Sequence, residues 1–302
     1  MDCRRLPNRR EDLVFTGVGV ACTKPTVQDL NSQGAIMRKC WTTTAGAMWL
    51  ILTSAALQGA EAPVLTLDAE GHTAMVKKVL FTPDGKELVT VSDDKTIRVW
   101  ARDTREPLRV LRPPIGTGHE GRLFCGAMSP DGRAVVVGGF GFLGGDCDAL
   151  LISLERDEVI RAFEGHTNVI HDVAFSPTGR HIITGCDDGT ARIWNVSTGR
   201  TEQILDGHKA PIYGVVFSPD GLKCATASYD KTAAVWAVDS GKRLATLTGH
   251  QGELLSIDWS GDGSRIVTGS EDETLRIWSP TGRLLTTVDN LGDRSVKCVR
   301  FT

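Results

Sequence analysis

From Val76 to Trp100 the chain alternates short apolar runs with polar, turn-forming clusters. Val76, Val79 and Phe81 precede a turn at Pro83-Asp84-Gly85, Leu88-Val89-Thr90 follows, and a second turn at Asp93-Asp94-Lys95 leads into Ile97-Arg98-Val99-Trp100. Runs this short, broken by Pro-Asp-Gly and Asp-Gly signals about every 8–12 residues, predict antiparallel hairpins. Leu108 to Leu111 supplies a fourth strand. The pattern then returns. The residue before each turn of Ser/Thr-Pro-Asp-Gly type, namely Phe81, Met128, Phe175, Phe217, Trp259 and Phe301, recurs at spacings of 47, 47, 42, 42 and 42. Each long interval holds a five-residue insertion, one between Trp100 and His119 and one between His119 and Ile152. A period near 42 means one four-stranded unit repeated, each copy burying its apolar side on its neighbours.

A second set of markers keeps the same period. His72, Asp94 and Trp100 stand 22 and then 6 residues apart, and these offsets return at His166, Asp188 and Trp194, at His208, Asp230 and Trp236, and at His250, Asp272 and Trp278. Glycine precedes the histidine at Gly71-His72, Gly118-His119, Gly165-His166, Gly207-His208 and Gly249-His250. In these residues the chain resembles the WD40-repeat (WD-repeat) β-propeller family from about Pro63 to Thr302. The resemblance implies an all-β fold, a β-propeller of four-stranded antiparallel blades with five complete blades and a partial sixth. The repeats fall at about 71–112, 118–164, 165–206, 207–248 and 249–290, with a partial one at 291–302. None of the four tryptophans is followed by the aspartate usual in the family; Ala101, Asn195, Ala237 and Ser279 stand there. That position ends a strand, so its loss leaves the assignment intact.

The resemblance further implies a hydrogen-bonded tetrad in each blade, linking the imidazole, a strand hydroxyl, the turn aspartate and the indole. Thr90, Thr184, Thr226 and Thr268 lie four residues before the aspartates and complete it in repeats one, three, four and five. Such a set leaves no buried polar group unpaired. A nucleophilic triad of His, Asp and Thr is the competing reading, but a triad occurs once per active site, whereas this set occurs four times with its tryptophan.

Repeat two departs from the others. Val137 stands for the threonine and Ile152 for the tryptophan, with Asp146 six residues before Ile152, and its second hairpin carries the stretch Gly138-Gly139-Phe140-Gly141-Phe142-Leu143-Gly144-Gly145. Gly139, Gly141 and Gly144 match the dinucleotide fingerprint by letters alone; no βαβ unit surrounds them, so a widened β-turn is the better reading. No cofactor is implied. Thirty-three glycines among 302 residues exceed the ~7% share of an average chain and suit an all-β repeat domain. The net charge is −3 and the lysines and arginines are scattered, without the basic stripe that tracks phosphates, which disfavours nucleic acid as a partner. The cysteines show neither zinc-type spacing nor a paired framework, and no metal site is expected.

In the resembling family one end of the propeller binds peptides or protein partners through residues three and five after the repeat histidine and immediately before the turn aspartate. Carried over, these are Met75, Lys77 and Asp93; Arg122 and Phe124; Val169, His171 and Asp187; Pro211, Tyr213 and Tyr229; Glu253, Leu255 and Glu271; and Ser295 and Lys297. Apolar anchors among charges suit an interface centre. No catalytic residue stands out in this set. The expected function is therefore a non-catalytic scaffold for a protein or peptide partner. The alternatives are a propeller enzyme or small-ligand binder that uses His171, Asp187 and Tyr213, and the sensor module of a larger regulatory protein.

The first 62 residues read differently. After Met37 come Arg38-Lys39, an apolar run from Ala45 to Leu57, then Gly59-Ala60-Glu61-Ala62, which is the order of a secretory leader. The run of about 13 residues is short for a membrane span, which needs about 20. The expected domains are thus 1–36, an over-called disordered extension, 37–62, a leader, and 63–302, the propeller, exported to the periplasm or cell exterior if the leader is used and cytoplasmic otherwise. No stable membrane span is expected once the leader is cleaved. At the other end, Val296 to Phe301 matches the innermost strand of a sixth blade whose middle strands are missing, so a fragment of a larger propeller or protein is expected.

Overall fold

The computed structural model describes residues 71–114, 118–141, 147–289 and 295–301. The expected leader, the N-terminal extension, the strand at Val64 to Leu67 and Asp146 lie outside the described residues. Every described element is a strand, and the strands form five four-stranded antiparallel sheets. All five sheets belong to one compact unit.

Blade one consists of β1 (Val76–Phe81), β2 (Glu87–Ser92), β3 (Ile97–Ala101) and β4 (Pro107–Leu111). Blade two follows with β5 (Arg122–Met128), β6 (Ala134–Phe140), β7 (Cys147–Ser153) and β8 (Val159–His166). Blade three has β9 (Ile170–Phe175), β10 (His181–Cys186), β11 (Ala191–Asn195) and β12 (Thr201–Leu205); blade four has β13 (Ile212–Phe217), β14 (Lys223–Ser228), β15 (Thr232–Ala237) and β16 (Arg243–Thr248). Blade five is β17 (Leu254–Trp259), β18 (Ile266–Ser270), β19 (Leu275–Trp278) and β20 (Leu284–Val288). Each sheet is a simple meander in sequence order, and the first strands touch in succession, β1 on β5, β5 on β9, β9 on β13 and β13 on β17.

The core lies between blades rather than within one. Val89, Val91, Ile97 and Val99 of blade one pack on Leu123, Val135, Val137 and Ile152 of blade two, and Val136 and Leu151 of blade two pack on Ile170, Ile182 and Trp194 of blade three. A strand with side chains to both faces buries both when a sheet lies on either side, which is why the middle strands β2, β6, β10 and β14 are buried at nearly every position. The odd residues of repeat two are explained here. Val137 and Ile152 fill the interface with blade one as hydrocarbon, so neither brings a polar group that a tetrad would have to satisfy.

Each first strand carries the same irregularity. The ladder between first and second strands steps from Val76 to Lys78, from Leu123 to Cys125, from Ile170 to Asp172, from Ile212 to Gly214 and from Leu254 to Ser256. Lys77, Phe124, His171, Tyr213 and Leu255 are therefore bulged out of the pairing, and a bulge re-aims the side chain it frees. The segment 295–301 was expected to be a strand and is not one beyond a single bridge at Phe301. It lies against blade five through Val296 and Val299, packed on Val267 and Leu275. With no second strand beside it among the described residues, its amides turn to blade five instead, Val296 N–H to the Ser270 carbonyl at 2.9 Å and Phe301 N–H to Asp258 Oδ2 at 2.7 Å.

Candidate functional site

Four blades hold the same chain of hydrogen bonds. Histidine Nδ1 lies 2.8 Å from aspartate Oδ2 in each, at His72–Asp94, His166–Asp188, His208–Asp230 and His250–Asp272. Nε2 lies 2.6 to 2.8 Å from the hydroxyls of Thr90, Thr184, Thr226 and Thr268. Those hydroxyls accept the indole N–H of Trp100, Trp194, Trp236 and Trp278 at 2.8 to 2.9 Å. The roles follow from donor counting. The indole only donates, so the threonine oxygen accepts from it and gives its own proton to Nε2, which leaves Nδ1–H for the carboxylate. The imidazole is neutral in this arrangement, and burial does hold His208 and His250 below the ordinary histidine range. Burial alone would raise the aspartates, yet the bonds from histidine, threonine and turn amides outweigh it and hold Asp94, Asp188, Asp230 and Asp272 below the usual carboxylate range.

Sequence reasoning missed one member of this network. Thr96, Thr190, Thr232 and Thr274, each two residues after the aspartate, donate to Oδ1 at 2.6 to 2.7 Å. Their regular offset was the available signal. In blade three, His166, Cys186 and Asp188 lie close enough to suggest a metal site. The other blades account for this trio without one. Ser92, Ser228 and Ser270 occupy the place of Cys186, and each accepts the N–H of the turn aspartate at 3.1 Å as the Cys186 sulfur does at 3.3 Å.

The turns that hold the aspartates open onto one end of the blades. There the residue three after the repeat histidine is bound through its carbonyl by the N–H of the residue preceding the aspartate: Met75 by Asp93, Val169 by Asp187, Pro211 by Tyr229 and Glu253 by Glu271, at 2.9 to 3.0 Å. The bulged residues project at the same end and meet across blades. Lys77 Nζ sits 5.4 Å from the centre of the Phe124 ring. Phe124 lies parallel to His171 at 6.4 Å, His171 stacks on Tyr213 at 4.0 Å, and Tyr213 stacks on Tyr229 at 4.0 Å with 6° between planes. Two of the three rim acids that follow in this series are answered within their own blade, Asp93 by Lys77 at 3.3 Å and Asp187 by His171 Nε2 at 2.6 Å. Burial, the bond to Tyr229 and the charges of Asp187 and Glu271 push the Tyr213 phenol above its ordinary range.

Blade five differs. Its bulged residue is Leu255, and Glu253, tied to Glu271 through the Glu271 N–H, holds the Glu271 carboxyl above its ordinary range. No paired-carboxylate signature was legible in the sequence, because the two glutamates meet only when the β17–β18 hairpin folds. Arg122 is half-buried, Val169 is buried and Lys297 is exposed. His119, the repeat histidine of blade two, is exposed and tilts against Phe140 at 6.1 Å instead of entering a tetrad. His181 pairs with Glu202 at 2.9 Å at the opposite end of its strand from Asp187.

A repeated four-stranded blade tied by this tetrad defines the WD40 class, and the family model described as "WD domain, G-beta repeat" matches at residues 62–101, 157–195, 199–237 and 241–279, more than half of the chain. The chain belongs to the WD40-repeat family. It is similar to the serine-threonine kinase receptor-associated protein of Gallus gallus, 38% identical over 165 residues, covering 43% of this chain and 45% of that protein. It is also similar to the nuclear distribution protein nudF 2 of Penicillium rubens, at 29% over 140 residues and 42% and 30% coverage, and to a guanine nucleotide-binding protein subunit beta of Oryza sativa subsp. japonica, at 28% over 138 residues and 44% and 35% coverage. The match thus spans less than half the length of these relatives. WD40-repeat proteins of this kind are scaffolds for protein interactions and are generally not enzymes.

These relatives correct one expectation. Export to the periplasm or cell exterior rested on the composition of residues 37–62, whereas the similar proteins, a kinase receptor-associated protein, a nuclear distribution protein and a guanine nucleotide-binding subunit, belong to intracellular settings. An apolar run preceded by basic residues is a composition that a chain can carry without being a leader. Among the described residues no helix is long and apolar enough to cross a membrane.

Proposed function

We propose that this chain is a non-catalytic scaffold that binds a protein or peptide partner on the end of the blades where the bulged residues gather. The observation that carries this is the repeated bulge. Five blades spend a ladder position each to free Lys77, Phe124, His171, Tyr213 and Leu255 from pairing, and four of those five enter one interblade stack. Stacked aromatics offer large contact area at low entropic cost, which is the composition of interface hot spots. The relatives fit this reading, since one is named for association with a receptor and another as a subunit.

The enzymatic alternative would place its chemistry on His171, Asp187 and Tyr213. Their geometry argues against it. His171 and Tyr213 lie face to face at 4.0 Å and 15°, so the imidazole nitrogens do not point at the phenol, and a base must reach its proton edge-on. A phenol raised above its ordinary range is also a weaker nucleophile at neutral pH.

A photo-crosslinking amino acid placed at Tyr229, compared with one at the exposed Leu222 at the opposite end of β14, tests the reading in extract of the native host. Crosslinked partner is expected at position 229 and not at 222, and the Phe124→Ala, Leu255→Ala double variant should lose it. Equal labelling at both positions, or labelling at 222 alone, would reject the proposed face.

A further inference from the structure

The partner's chemistry can be read from an asymmetry in the face, given that the face is where the partner binds. In blades one and three the rim acid is met by a cation or imidazole bulged from the same blade, Asp93 by Lys77 and Asp187 by His171. Blade four has Tyr213 and Tyr229 at these two places, stacked on each other. In blade five the rim acid is Glu271 and the bulged residue is Leu255, which answers it with no charge. Glu253 adds a second carboxyl at the same spot, fixed there by the 2.9 Å bond from Glu271 N–H to its own carbonyl. Two lysines lie near. Lys231 Nζ is engaged by the Gln251 carbonyl at 2.9 Å, and Lys297 acts on Glu271 without closing an ion pair.

The aromatic stack shows the same imbalance. Its Phe124 end is covered by the Lys77 ammonium, an attraction between a cation and the ring face. Its other end is the Tyr229 ring, whose far side carries no ring or cation partner among the described residues. The Lys231–Gln251 bond sets the turn that carries Tyr229 against the stretch of blade five that leads into Glu253, and the charges of Glu271 and Asp187 both act on the neighbouring Tyr213 phenol.

We propose that the partner inserts an arginine side chain, its guanidinium laid against Tyr229 and forked to the Glu253–Glu271 carboxylates. A guanidinium suits both requirements at once: it is flat enough to stack, and its donors are spaced for two carboxylate oxygens. An ammonium meets the charge but not the plane.

Fluorescence polarisation on the full chain with labelled hexa-arginine, hexa-lysine and hexa-glutamate tests this. Hexa-arginine is expected to bind at least fivefold more tightly than hexa-lysine, and hexa-glutamate not to bind. The E253Q/E271Q variant should weaken hexa-arginine at least tenfold. Tyr229→Ala should bring the arginine and lysine affinities within twofold of each other, while Asp220→Asn, an acid at the opposite end of blade four, should change nothing. Unchanged thermal melting of each variant controls for folding. Absence of hexa-arginine binding, equal affinity for the two cationic peptides, or indifference to E253Q/E271Q would overturn the proposal. If the peptides fail while crosslinking at position 229 persists, the face stands and the arginine is wrong; if both fail, the face itself is wrong.

Discussion

At the scale of single residues, each tetrad aspartate gathers the same set of bonds, and Asp188 shows what they are worth. It accepts from His166 Nδ1, from the Thr190 hydroxyl at 2.7 Å and from the Thr190 and Thr167 amides at 2.9 and 3.3 Å. Asp188→Ala strands all of these and should cost about 1.5–3 kcal/mol in chemical denaturation. Asp187→Ala, one residue away on the rim, should cost less than about 1 kcal/mol, since it breaks one part-exposed ion pair and strands no turn amide. Cys186→Ser restores what three other blades already carry and should leave stability within about 0.5 kcal/mol; a larger loss, or metal retained by the unaltered protein and lost from the variant, would contradict the structural assignment of that thiol. Acid should act in two stages. His208 and His250 are held below the ordinary value of about 6.5, so the unfolded chain binds more protons than the folded one below that pH, and stability should begin to fall there as pH drops. The four tetrad aspartates are also depressed, which adds a second loss below about pH 4. Denaturant midpoints measured from about pH 8 to pH 3 would show one flat region and two descents. These residues were legible in the sequence because every tetrad is drawn from 29 consecutive positions, His72 to Trp100 in the first case.

At the scale of elements, the bulges and the first strands decide the outcome. Lys78 of β1 reaches past blade two to Asp172 of β9 at 2.9 Å, and Asp172 also accepts the Val215 N–H of β13 at 3.0 Å. One carboxylate thus ties three blades, and the blade-two residue that matches Lys78 and Asp172 is the small Cys125, beside both. Asp172→Ala should cost about 1–3 kcal/mol, and Lys78→Met less, because methionine leaves the Val215 bond intact. The outer side of β1 presents a different case. Val79 is 46% and Phe81 58% exposed, while the matching Val173 and Phe217 are 4% and 6% exposed, each covered by the blade before it. Val79→Thr with Phe81→Ser should therefore reduce binding of a hydrophobic dye while shifting stability by less than about 0.5 kcal/mol. Strands and turns were plain in the sequence, since Pro-Asp-Gly and Asp-Gly signals punctuate them. The bulges were not, because an extra residue in one strand is defined only against its partner strand. Segment 295–301 shows the same limit: its residues alternate like a strand, but strand geometry needs a neighbour to bond.

At the scale of the whole molecule, repetition matters less than its interruptions. The four tetrads make the blades alike and secure; the face is made by what varies at the bulge, a lysine, a phenylalanine, a histidine, a tyrosine and a leucine. Sequence offsets located each of these positions, yet the stack that joins Phe124, His171, Tyr213 and Tyr229 spans 106 residues and three blades and has no local signature. The Glu253–Glu271 pair was hidden for the same reason.

The stack has a spectroscopic consequence. The chain contains two tyrosines and no more, and they are the two rings lying 4.0 Å apart on this face. Replacing tyrosine biosynthetically with 3-fluorotyrosine would therefore place both fluorine nuclei of the protein at the face and none elsewhere. A fluorine spectrum of the whole chain should contain two resonances, each shifted by the ring current of its neighbour, and every ligand that seats on the face should move them while ligands held anywhere else leave them still.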